Sequence, residues 1–144
     1  MKLWFLALTS LVSLPAAAAG IGTAPPKQDD RSLSVSLYIS DEEGGKRTPA
    51  LETTLTIAGD KDCANLVDRT STTHYEVVIC RDGGEDARPV LRFEITRKRT
   101  DGDERRIHTR VSLALGKRVV IGRHGQESRP IMVLEAEAKP SSGG

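Results

Sequence analysis

The sequence predicts an all-β fold, a small antiparallel β-sandwich of the immunoglobulin-like kind with about seven strands. Three observations carry this reading. Apolar and polar residues alternate with a period of two over most of the chain, the pattern of half-buried strands. Clusters of Gly, Pro, Asp and Ser interrupt that alternation at short intervals. No stretch keeps the 3.6-residue periodicity of a long amphipathic helix.

The elements follow in order. The run LSVSLYI places Leu33, Val35, Leu37 and Ile39 on one face, and LETTLTI repeats the pattern with Leu51, Leu55 and Ile57. The segment ANLVD, residues 64–68, reads as no more than one helical turn, and DRTSTT after it reads as loop. HYEVVIC alternates on Tyr75, Val77 and Ile79, and VLRFEITRK on Leu91, Phe93 and Ile95. RRIHTRVSLAL follows with Ile107, Val111, Leu113 and Leu115, then the short RVVI and finally IMVLEAEA.

The best-specified unit is the hairpin around RKRTDGDERR. A three-residue loop of Thr100, Asp101 and Gly102, with Gly102 left-handed in a G1 bulge, brackets Arg99 against Asp103. Ile95 then faces Ile107, Phe93 faces Thr109 and Leu91 faces Val111, all on the inner face. A two-residue Asp-Gly loop would mix the faces, which burial of one of them forbids. On the outer face Lys98 meets Glu104 and Glu94 meets His108, whereas Arg92 is set against Arg110. Like charges directly opposite are destabilising, and Glu94, diagonal to Arg110, is the expected remedy.

The N-terminus has Lys2, an apolar run from Leu3 to Leu14 and the small residues Ala17-Ala18-Ala19, the layout of a secretory signal peptide cleaved before Gly20. The run is shorter than the about 20 residues a membrane span needs. The expected organisation is a signal peptide (1–19), a flexible linker (20–31), the sandwich domain (32–138) and a disordered tail (139–144). Cleavage leaves 125 of the 144 residues, enough for one modest core.

Cys63 and Cys80 are the two cysteines. In an oxidising compartment they are expected to form a disulfide, and closing a loop of about 18 residues stabilises by about 3 kcal/mol in the chain-entropy model. The charge of the chain is +1, and Lys2 is lost with the signal peptide. That balance disfavours a nucleic-acid partner or an anionic membrane, which draw affinity from a basic excess.

The acidic glycine loops SDEEGGK and RDGGED would fall at the same end of a simple meander, bringing Asp41, Glu42, Glu43, Asp82, Glu85 and Asp86 within range of a calcium ion. No EF-hand spacing is present, and Asp and Gly serve hairpin turns, so no metal or cofactor is expected. Catalytic patterns are missing as well. His74 and His108 take outward strand positions, and His124 lies in the loop GRHGQESRP with Ser128. No G-x-S-x-G, H-E-x-x-H or phosphate-loop spacing accompanies them, so the chain is read as noncatalytic.

Two resemblances arise near the C-terminus. VVIGR resembles the strand-Gly-Arg signature of forkhead-associated domains, but that family places most of its domain after the Gly-Arg, and here 21 residues follow Arg123. The stretch VSLALGKRVVIG resembles the β-domain of secretins and related outer-envelope proteins, where a strand leads into a Gly, a short apolar strand and a second Gly. This covers about the last 35 residues and implies a periplasmic accessory of similar strand pattern, not a pore. Gly116 would open a type II′ turn with Lys117 or bend one long strand, and Gly122 would terminate the next strand.

The expected function is that of an exported, periplasmic or secreted envelope protein that binds another envelope or secreted protein, with Arg92, His108, Arg110, Arg123 and His124 as the candidate surface. The alternative is an inhibitor of an extracytoplasmic hydrolase that presents GRHGQESRP to an active site.

Overall fold

A computed structural model describes residues 32–60, 62–125 and 129–141. The expected signal peptide and linker, and Ser128, lie outside the described residues. The chain forms β1 (Leu33–Glu43), β2 (Lys46–Ile57), β3 (Cys63–Arg69), β4 (Thr73–Glu85), β5 (Arg88–Arg99), β6 (Glu104–Ser112), β7 (Val119–His124) and β8 (Ile131–Pro140). They make two four-stranded sheets, β2-β1-β8-β7 and β3-β4-β5-β6, and every ladder is antiparallel. In its layering the domain is the expected immunoglobulin-like sandwich. Its connectivity is plainer than a Greek key, because one sheet is a continuous meander and the other sets the last strand beside the first.

The alternation becomes the core directly. Leu33, Val35, Leu37 and Ile39 of β1, Val77 and Ile79 of β4, Leu91, Phe93 and Ile95 of β5, and Leu134, Ala136 and Ala138 of β8 pack between the sheets with almost no exposure. Each fully buried Leu, Ile or Phe contributes about 1.5–3 kcal/mol relative to an exposed one. β2 lies beside β3, and β6 beside β7, without a connecting ladder. The edges of the two sheets thus shelter each other along two seams, which limits pairing with foreign strands.

The hairpins obey local chemistry. Glu43 pairs with Lys46 across Gly44 and Gly45, both at positive φ (58° and 78°), the requirement of a two-residue type I′ turn. The β5–β6 register is the expected one: Ile95 faces Ile107, Phe93 faces Thr109, and Arg92 faces Arg110. The Arg99 amide donates to the Asp103 carbonyl at 2.8 Å, and Gly102 has a φ of 90°. Cys63 and Cys80 are bonded and sit directly opposite each other on β3 and β4.

Several expectations are corrected. Residues 64–68 are not a helical turn but most of strand β3. This extra strand reverses the direction of everything after it, so the β1–β2 and β4–β5 turns lie at opposite ends of the sandwich instead of one. RDGGED is not simply a turn, since β4 continues through it to Glu85 with a register shift between Arg81 and Gly84. β8 runs on through Lys139 and Pro140, which pair with Ser34 and Leu33, into the segment expected to be disordered. Gly116 holds the third position of a turn closed by the Lys117 amide on the Ala114 carbonyl, 3.3 Å, with a φ of 76°. That turn carries the chain from one sheet to the other. Gly122 does not end β7. It sits inside the strand beside an irregularity, where a Cβ would meet Leu134 and Ile107 at 3.6 and 3.7 Å.

Candidate interaction site at the arginine end of the sandwich

The inner rows of β5 and β6 do not stop where their apolar residues do. Arg97 takes the inward position after Ile95, Arg105 takes the one before Ile107, and the register sets them directly opposite each other. Arg97 is 0% exposed and Arg105 4%. Two opposed buried cations need anions in the same space. Asp41, one step past Ile39 on the inner face of β1, supplies the first. Its carboxylate accepts from Arg97 Nη1 and from Arg99 Nη2, both at 2.8 Å. Asp103 supplies the second, 3.1 Å from Arg105 Nε, 3.2 Å from Arg129 Nη1 and 3.8 Å from Arg97 Nη2. Arg97 Nε and Nη2 make no hydrogen bond among the described residues, so the network is rich in donors.

Arg105 also ties down the next connection. Its Nη1 donates to the carbonyl of His124 at 3.0 Å and to that of Pro130 at 2.6 Å. These are the last residue of β7 and the residue before β8, so one guanidinium pinches both sides of the β7–β8 connection. Gly125 permits the pinch, since a Cβ there would lie 3.0 Å from the Ile131 Cα. A groove of about 290 Å³ opens beside the neck among Arg105, His124, Gly125 and Arg129. A second of about 440 Å³ lies among Arg99, Asp101, Arg129 and Pro130.

The five residues singled out from the sequence do not form one surface. Arg92, His108 and Arg110 lie on the outer face of the β3-β4-β5-β6 sheet, and Arg123 and His124 on the other sheet. Arg110 is relieved by Asp82 rather than by Glu94, with Nε 3.0 Å from its carboxylate, while Glu94 lies 3.8 Å from Arg92. Arg110 is 63% exposed, and exposed pairs contribute little. Arg110→Ser is therefore expected to change the unfolding free energy by less than about 0.5 kcal/mol in denaturant titration.

Arg123 joins a charged chain on the outer face of the β2-β1-β8-β7 sheet. It donates to Glu42 at 3.3 Å, and Glu42 also accepts from Arg47 Nε at 2.8 Å. Arg47 and Arg118 share Glu135, and the Arg118 guanidinium lies 3.6 Å over the Tyr38 ring. The Arg47 bond, more than any other interaction, holds the Glu42 carboxyl below its ordinary value of 4.5. A depressed carboxyl stabilises the fold fully above that ordinary value, and the contribution disappears as pH falls through the lowered one. Thermal unfolding from pH 6 downwards is expected to show an acid-sensitive component that Glu42→Gln removes.

Four of the six acidic loop residues are held by arginines. Asp41 and Glu42 are held as described, Asp82 by Arg110, and Asp86 lies 3.1 Å from Arg81. Among the described residues no group of three or more His, Cys, Asp or Glu converges as a metal site. Unfolding curves with calcium and with chelator are expected to coincide. A rise of several degrees with calcium would overturn that reading.

Sequence reasoning missed Arg97, Arg99, Arg105, Arg129, Asp41 and Asp103 as a unit. The signal was present for two of them, because the hairpin register that opposes Arg92 and Arg110 also opposes Arg97 and Arg105. Comparison of the chain with protein families, with curated proteins and with solved structures yields no match.

Proposed function

We propose that this chain is an exported, noncatalytic envelope protein that binds another periplasmic or secreted protein through the arginine end of its sandwich. One observation carries the reading: Arg105, buried and held by Asp103, fixes both sides of the β7–β8 neck, while the more exposed Arg99 and Arg129 flank it. A neck held in this way presents its surroundings with little ordering left to do on binding. The disulfide supports an oxidising destination, and among the described residues no helix is long and apolar enough to cross a membrane. The near-neutral charge speaks against nucleic acid as a partner. The resemblance of residues 111–122 to the β-domain of secretins adds a component of an envelope assembly as a class of partner.

Capture from an envelope extract with immobilised protein tests this. One dominant partner is expected, lost on Arg129→Ala with the unfolding midpoint unchanged. Capture that survives Arg129→Ala and His124→Ala together would move the site elsewhere. The pinched neck also favours a second reading, an inhibitor of an extracytoplasmic hydrolase. In that case the captured protein is a hydrolase, and stoichiometric addition abolishes its activity.

A further inference from the structure

One row of side chains crosses the whole outer face of the β3-β4-β5-β6 sheet. Cys63 on β3 is paired with Cys80 on β4, Cys80 with Arg92 on β5, and Arg92 with Arg110 on β6. Half of the row is a disulfide and the other half is two guanidiniums. The two cysteines are not equivalent. Cys63 is an exposed residue on the outermost strand of its sheet, whereas Cys80 is 4% exposed. Arg92 Nη2 lies 3.5 Å from Cys80 Sγ. Glu94 lies 3.8 Å from Arg92 and faces His108, Asp82 holds Arg110, and Asp62 and Arg81 are the chain neighbours of Cys63 and Cys80.

We propose that this disulfide is a site of thiol–disulfide exchange, attacked at Cys63 with Cys80 as the leaving sulfur. An incoming thiolate places its electron pair on Cys63 Sγ and forms a mixed disulfide. The Cys63–Cys80 bond breaks, and its electron pair departs on Cys80 as a thiolate beside Arg92. One thiolate enters and one is released, so charge and electrons balance. A second thiolate on the reductant then attacks its own sulfur in the mixed disulfide and releases Cys63. The net result is two electrons transferred from a dithiol, or from two monothiols, to this protein.

Each feature of the row has a place in that step. Exchange depends on which sulfur can be reached and on how well the leaving thiolate is stabilised, and adjacent guanidiniums lower a thiol pKa. Exposure selects Cys63 for attack. Arg92, backed by Arg110, selects Cys80 as the leaving group. Arg92, set against Arg110 in the oxidised protein, acquires an anion beside it when the bond opens. The β3–β4 ladder from Ala64–Ile79 to Arg69–His74 keeps the strands together meanwhile. This site is separate from the arginine end and does not depend on it.

The test uses the oxidised protein with excess reduced glutathione at neutral pH in native buffer, quenched with acid and mapped by mass spectrometry. The glutathione adduct is expected on Cys63. Arg92→Gln is expected to slow exchange by on the order of threefold to tenfold, and Arg92→Lys to keep most of the rate, with the unfolding midpoint of both oxidised variants near that of the parent. An adduct mainly on Cys80 overturns the proposal. So does a parental rate in the Arg92→Gln, Arg110→Gln double variant, or reduction no faster than global unfolding. Replacing glutathione by a C-x-x-C peptide separates the two sources of thiol: a faster rate per thiol with the peptide assigns a protein dithiol, and a slower one assigns a small thiol.

Discussion

Arg105→Ala is expected to lower the unfolding free energy by about 3–5 kcal/mol, the range for removing one member of a buried charge network. The side chain is almost fully enclosed and serves Asp103 and the carbonyls of His124 and Pro130 together. Truncation strands the two carbonyls, leaves Asp103 with Arg129 and the more distant Arg97, and releases the β7–β8 neck. Arg105→Lys is expected to fall between parent and Ala, because an ammonium is a point charge without the planar fork that bridges three oxygens. Denaturant titration gives the stability, and capture from envelope extract reads the proposed binding, which is expected to fail with both variants. A loss below about 1 kcal/mol would show that the neck holds itself without Arg105.

Asp41→Ala is expected to have a comparable effect, again about 3–5 kcal/mol, for the opposite reason. It leaves Arg97, which has no exposed surface, without its closest anion. Arg97→Met should be far milder, between no change and about 2 kcal/mol, since a buried ion replaced by an apolar side chain of similar volume sheds its desolvation penalty. Combining the two substitutions is expected to recover most of the Asp41→Ala loss. This non-additivity is the mark of residues acting through one network, and strictly additive effects would contradict the pairing.

How far the sequence spoke can be judged from these residues. β1, β4, β5 and β8 were legible because each buries three or more alternating apolar side chains against the opposite sheet, and β6, which buries Ile107 and part of Val111, was legible through its hairpin register with β5. β3 was not. It buries only parts of Ala64 and Leu66, turns Val67 outward at 57% exposure, and owes its extension to the β4 ladder and the disulfide, which are tertiary facts. Missing one strand inverted the ends of the later turns, so acidic loops that seemed to converge lie apart. Arg97 and Arg105 were hidden differently. Their register was available, but an arginine on an inward row reads as the end of the strand until an aspartate from β1 is known to meet it. The β7–β8 neck depends on a side chain from β6, which no local pattern encodes.

The place of β8 has a consequence for biogenesis. Among the described residues β8 is the only ladder partner of β7 and the second partner of β1, yet it is made after the other seven strands. Until residues 131–140 emerge, the meander β3-β4-β5-β6 can assemble, but its sister sheet is reduced to the β1–β2 hairpin, and a lone hairpin is marginal in water. During synthesis the domain therefore stays incomplete, with the apolar faces of β1 and the meander uncovered, until β8 has been made. Folding before residues 131–140 are made is disfavoured by strand order alone, and truncation within the last ten residues of the described domain should be felt as failure to fold rather than as a frayed end.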